Sequence, residues 1–153
     1  MNLQLLQMAA SLALAEFAEL HVVHVWEAVG EGIMRTAFVS ASEERISAYV
    51  SGVRRQHEAG LRALLEQAQA SLGPEGLQYL KPQQHLVRGS ASREIPALAQ
   101  RLDADLIVMG TVGRSGIAGF FMGNTAETVL YQIDCSVLAV KPAGFVSPVG
   151  VED

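Results

Sequence analysis

The sequence predicts a doubly wound α/β domain on a parallel sheet, and three observations carry that prediction. Segments of helical period alternate with short apolar runs in the order αβ-αβ-αβ-αβ. One run, residues 106–109, has four apolar residues in succession, the pattern of a strand covered on both faces. That strand opens into a loop with glycine at every third position, Gly110, Gly113, Gly116 and Gly119, and a fifth, Gly123, stands directly before a helix start.

Taken in order, Leu3, Leu6, Ala10, Leu14 and Phe17 recur at helical spacing and predict a buried amphipathic helix. The stretch is apolar enough to imitate a signal peptide, but the first basic residue is Arg35, so the positive n-region of a leader is missing. Residues 21–26, rich in β-branched side chains, read as a buried strand. Residues 27–39 contain Gly30 and Gly32 and show no clear period, so a loop is expected. Ser40 with Glu43 has the spacing of a capping box. Ile46, Tyr49, Val50, Val53, His57, Leu61, Leu64, Ala68 and Leu72 then trace one face of a long helix, closed by glycine and proline at Gly73, Pro74 and Gly76.

A second strand is expected within residues 79–88, its start pushed toward His85 by Pro82. Ile95, Leu98, Ala99 and Leu102 mark the next helix, residues 124–133 the last one, and residues 136–140 the last strand. The expected organisation is one domain over residues 1–142 and a loosely held tail over 143–153. A chain of 153 residues buries roughly 68–70% of its unfolded surface, enough for one core.

Composition narrows the function classes. A net charge of -5, with Lys81 and Lys141 the only lysines, gives no basic footprint for nucleic acid. The single cysteine, Cys135, allows no intramolecular disulfide and fits a reducing, cytoplasmic compartment; it is expected in the core. No apolar run is long enough to span a membrane. His21 and His24, three apart on a strand, face opposite sides, and His57 and His85 complete no ligand cluster, so no metal site is expected. Asp103 and Asp105 flank a strand entrance and read as solvated loop charges. No Ser/His/Asp order or acid–base pair emerges, so no catalytic residue is assigned.

The glycine loop is the strongest functional signal. Glycines let backbone N–H groups approach an anion without a Cβ in the way, and a following helix N-terminus adds unsatisfied N–H groups and a positive dipole end. Its position, at the carboxyl end of a parallel strand, is where open α/β sheets bind ligands. Asn124 with Glu127 reads as N-cap and N3 partner, with the N–H groups near Thr125 and Ala126 facing the loop. The spacing matches neither GxxxxGK[ST] nor GxGxxG.

It does resemble the signature half of the universal stress protein family, G-x2-G-x9-G-[ST] after the fourth strand, with Gly110, Gly113 and Gly123 in register. Val87-Arg88-Gly89 before a helix, the run from Asp103 to Gly110, and Val137-Leu138-Ala139-Val140-Lys141-Pro142 match as well. Gly123-Asn124-Thr125-Ala126-Glu127 is most similar to the E-type bacterial members, which are often tandem proteins. The resemblance implies an adenine-nucleotide α-hydrolase-like fold of strand order 3-2-1-4-5 and a stress-response binding module rather than an enzyme. It implies ATP or another adenine nucleotide at Gly89, Gly110, Gly113, Arg114, Gly123, Asn124 and Thr125, with any Mg2+ carried by the nucleotide. Asn124 stands where the family has Ser or Thr.

The resemblance also implies a homodimer through the last strand, Val137, Leu138, Ala139 and Val140, with no membrane or nucleic-acid partner. A slow ATP hydrolase remains an alternative, as does an apolar small molecule or lipid held beside Phe120, Phe121 and Met122. The family's first strand, central in its sheet and ending in an Asp that meets adenine, has no counterpart in these residues. Either it lies upstream, or a partner supplies it, or the neighbouring strands close directly; an upstream start is expected.

Overall fold

The computed structural model describes residues 2–36, 41–72, 79–111 and 123–141. Their elements are α1 (Asn2–Glu16), β1 (His21–Trp26), α2 (Gly30–Thr36), α3 (Glu43–Leu72), β2 (Gln83–Arg88), α4 (Ala91–Arg101), β3 (Leu106–Gly110), α5 (Asn124–Gln132) and β4 (Ser136–Val140). Helices and strands alternate as the periodicity predicts, and the strands pair in parallel.

The pairing is divided. β1 pairs with β2 from His21↔Gln83 to Trp26↔Arg88, and β3 pairs with β4 from Leu106↔Ser136 to Gly110↔Val140. Among the described residues these form two separate two-stranded sheets, so direct closure of β1 on β3 is not what occurs. The two pairs correspond to the 3-2 and 4-5 ends of the expected strand order. Helices bridge the division: α1 packs on both α3 and β3, and α4 on both β1 and α5.

The main core lies between α1 and α3. Leu6, Ala10, Ala13, Leu20 and Ala68 are buried there, with Leu3, Val22, Leu64, Leu65 and Leu80 packed against them. Alanine at three of those five positions lets the helix backbones approach closely. Phe17, expected on the buried face of α1, is instead 83% exposed. It follows the helix at φ 53°, a left-handed terminating residue whose side chain is turned off the helical stripe. Cys135 is half-buried rather than core.

Two further expectations shift locally. The loop expected over residues 27–39 contains α2, held from outside: Arg35 bonds Glu31 one turn back and Glu43 on α3, at 2.7 Å, and Arg88 pairs with Glu31. Gly30 is needed there, because its N–H donates to the Tyr49 hydroxyl at 3.1 Å and a Cβ would lie 2.7 Å from that oxygen. α3 is capped by Ser42, whose carbonyl accepts from the Ile46 N–H at 3.1 Å; Ser40 lies outside the described residues. At 30 residues α3 runs about 45 Å.

Candidate functional site

Both strand pairs end in a glycine-bearing turn that leads into a helix. After β2, the Gly89 N–H donates to the Trp26 carbonyl at 3.0 Å, closing the ladder. Gly89 has φ 146°, and a Cβ there would stand 2.7 Å from a Glu94 carboxylate oxygen. Only glycine fits both conditions. Ser90 then starts α4, its carbonyl accepting from the N–H groups of Arg93 and Glu94 at 3.1 and 2.9 Å. Beside this turn the Arg88 guanidinium lies 5.7 Å from the centre of the Trp26 ring.

The second turn is the glycine loop. Thr111 follows β3 directly, and its carbonyl accepts from the Gly123 N–H at 2.8 Å, so the loop's two ends are tied together. Gly123, extended at φ -62° and ψ 141°, is the N-cap of α5, and its carbonyl takes the Glu127 N–H at 3.0 Å. Asn124 is therefore the first helical residue and not the cap. Glu127 sits one position too far along to complete a capping box. A glycine cap has no side-chain oxygen, so no side chain caps the first turn of α5.

The residue the sequence reading missed is Thr111. It is 2% exposed, and its hydroxyl has no hydrogen-bond partner among the described residues. Nothing in its spacing marks it; its burial follows from the Thr111–Gly123 closure. An orphan hydroxyl at the neck of the loop and an uncapped helix start after it make a site with donors to spare, with Glu127 the acidic residue of that first turn.

The Universal stress protein family model matches residues 2–141. The chain belongs to the universal stress protein family. It is 35% identical over 107 residues to universal stress protein E of Escherichia coli K12, which covers 70% of this chain and 31% of that protein. The chain thus matches about a third of that relative's length. In three dimensions it is similar to the universal stress protein UspA from Lactobacillus plantarum, with a TM-score of 0.65 at 16% identity over 90% of this chain and 87% of that one. It is also similar to a universal stress protein crystallised in complex with cAMP, with a TM-score of 0.54 at 21% identity over 91% and 86% of the two chains.

Within this universal stress protein domain the expected site residues divide. Gly110, Gly123, Asn124 and Thr125 gather at the carboxyl end of β3, Asn124 and Thr125 exposed. Gly89 belongs to the other sheet. Gly113 and Arg114 lie outside the described residues, as do Phe120, Phe121 and Met122.

The histidines are brought together in pairs. His21 Nδ1 lies 2.9 Å from His85 Nε2, and His24 Nε2 lies 2.8 Å from His57 Nδ1. The two pairs sit on opposite faces of β1, as the strand period requires. Burial first, then the neighbouring His21 and Arg101, hold His85 below the usual histidine range. No group of three or more His, Cys, Asp or Glu that would hold a metal occurs among the described residues. Asp103 and Asp105 are exposed, as expected of loop charges. No helix among the described residues is long and apolar enough to cross a membrane.

Proposed function

We propose that this domain is a stress-response binding module that holds the phosphates of an adenine nucleotide at the glycine loop and acts by binding rather than by turnover. One observation carries the reading: the first turn of α5 has no side-chain cap and opens beside the buried Thr111 hydroxyl, which has no partner among the described residues. The N–H groups of Asn124, Thr125 and Ala126 at that turn have no intrahelical acceptor, and an anion there would meet them and the positive end of the helix. The Gly123 N–H is already used by Thr111, so Gly123 contributes access rather than a donor. Gly110, Gly113 and Arg114 complete the phosphate contacts in this reading, and Gly89 lies toward the sugar. Any Mg2+ arrives on the phosphates. The relative in complex with cAMP supports an adenine nucleotide as the ligand class.

The module works in the cytoplasm as a homodimer in this reading, through the outer edge of β4, which has no strand neighbour among the described residues. Equilibrium dialysis against labelled ATP, ADP and cAMP, with and without Mg2+, tests the nucleotide. Binding is expected for the intact chain, with a loss of roughly tenfold or more in Gly123→Val, whose side chain would crowd the helix start. Absence of binding at millimolar nucleotide, or equal binding by Gly123→Val, overturns the reading. Sustained conversion of ATP to ADP would move the assignment to a hydrolase.

A further inference from the structure

α2 buries none of its 7 residues, so polar ties carry much of its attachment. Ile33 within it and Val29 just before it are 69% and 78% exposed. The Gly30 N–H donates to the Tyr49 hydroxyl, Arg35 bonds Glu43, and Glu31 pairs with Arg88. The first two ties lead to α3, and the third leads to the last residue of β2.

That residue stands where an oxyanion would be met. Arg88 ends β2 directly before the Gly89 turn, on the carboxyl side of a parallel strand pair, where open α/β sheets bind ligands. Its guanidinium lies over the Trp26 ring and its Nη2 donates to Glu31 Oε2. About half of the Arg88 side chain, 49%, is still open to solvent. Glu31 is therefore a carboxylate already seated on Arg88, delivered by a weakly anchored helix. It keeps a second hold on Arg35 at 3.2 Å, so its charge stays paired if it leaves Arg88. Carboxylates and phosphates offer a guanidinium the same pair of oxygens, so either can take that seat.

The arrangement is evenly balanced. A part-exposed ion pair shifts an equilibrium by roughly fivefold at most. Against it stands Trp26, buried beside Arg88 and stacked on the His57 ring at 5.9 Å, with an Nε1 donor that has no hydrogen-bond partner among the described residues. A buried donor left unpaired destabilises the state that buries it. A short helix with no buried residue, held through such a pair, is the kind of element that opens locally.

We propose that Arg88 is an oxyanion-binding residue which Glu31 occupies in the absence of ligand, so that a ligand phosphate or carboxylate taking Glu31's place releases α2. The inference does not depend on the nucleotide, since Arg88 belongs to the other sheet from the glycine loop, and its test contains none.

The test is residue-resolved NMR on the full chain, titrated with inorganic phosphate, with acetate and with chloride at matched ionic strength. Phosphate or acetate is expected to shift the Arg88 Nε–H signal, saturating in the millimolar range, and to speed amide exchange at Met34, Arg35 and Thr36 by roughly threefold or more. Chloride is expected to do neither. The oxyanion that saturates at the lower concentration assigns the ligand group as phosphate or carboxylate. The Asn124 and Thr125 amides report the glycine loop separately, so failure at one site is not failure at the other. Glu31→Gln removes the resident carboxylate; it is expected to bind the oxyanion roughly fivefold more tightly at Arg88, with fast α2 exchange from the start. Arg88→Gln leaves Arg35 and Glu31 in place, and it is expected to show the same fast exchange with no oxyanion response at α2.

Unchanged oxyanion affinity in Glu31→Gln would overturn Glu31 as the occupant. Slow α2 exchange in Arg88→Gln would overturn the pair as a latch. Equal responses to all three salts would reduce the effect to ionic screening. No movement of the Arg88 signal with phosphate or acetate would leave Arg88 a structural support of α2 and no binding residue.

Discussion

The two sheets of this domain are built from different material. β1 and β2 carry three of the molecule's four histidines, two glutamines and Arg88, whereas β3 and β4 consist of Leu, Ile, Val, Met, Ala, Gly and one Ser. The α1–α3 cluster around Ala10 and Ala68, both 0% exposed, is shared: Val22 of β1 packs against it, and α1 also packs on β3. Behind the apolar pair, Ala126, Val129 and Val140 are the buried residues of α5 and β4. Strand composition therefore does not track burial. Half-buried imidazoles are tolerable on β1 because each finds a partner ring, while Leu106 at the start of the apolar β3 is 42% exposed. Among the described residues no ladder crosses from one sheet to the other, and α1 and α4 each pack on both halves.

That difference is tested most severely at Val129, fully buried at 0% exposure. Val129→Asp places an unpaired carboxylate in the thinner half and is expected to cost about 3–5 kcal/mol. Denaturant-dependent hydrogen exchange should show β3 and β4 losing protection at lower denaturant than β1 and β2. Simultaneous loss in both sheets would mean that the two bridging helices couple them fully.

The polar half has its own weak point in Gly89. Gly89→Ala forces an L side chain to φ 146° and against Glu94, at an expected cost of about 1–3 kcal/mol in chemical denaturation. Glu94→Ala in the same chain removes the clash but not the backbone strain, so the double variant should recover only part of the loss.

A smaller effect separates the halves by pH. His85 is held below its ordinary value of 6.5 by burial, then by His21 and Arg101, while Glu19 lies 3.3 Å from His21 on the other side. A base whose folded pKa is depressed contributes stability that is present above its unfolded value and lost as pH falls through the folded value. Stability should thus decline as pH drops below about 6.5, and His85→Gln should flatten that decline without touching the pH response of β3 and β4. An unchanged slope in the variant would remove His85 as the cause.

The strands and long helices were legible because each has a strong period of its own: residues 21–26 and 136–140 are strands over the predicted bounds. α2 was not, because Gly30 and Gly32 hide its period and its supports, Tyr49, Glu43 and Arg88, come from elsewhere in the chain. The histidine pairs were hidden for the same reason, joining residues 64 and 33 positions apart. At the glycine loop the spacing identified the family but not the cap, and Thr111 carries no sequence mark because its burial is a property of the loop closure.

The last substitution decides between two readings of one residue. Were Asn124 the N-cap of α5, its side chain would accept from the N–H two or three residues on, and Asn124→Ala would cost about 1 kcal/mol. With Gly123 as cap, Asn124 is an exposed first-turn residue whose carbonyl accepts from the Thr128 hydroxyl at 2.8 Å, a bond that alanine's backbone makes equally well. Asn124→Ala is then expected to change stability by no more than about 0.5 kcal/mol in denaturant titration. Gly123→Asn should stabilise the helix start slightly, since a capping side chain would now be present at the right position. It should also lower affinity for an anion, because that side chain would compete for the same N–H groups. A gain in stability without loss of nucleotide binding would detach the uncapped helix start from ligand recognition and leave Thr111 and the glycine loop to account for it.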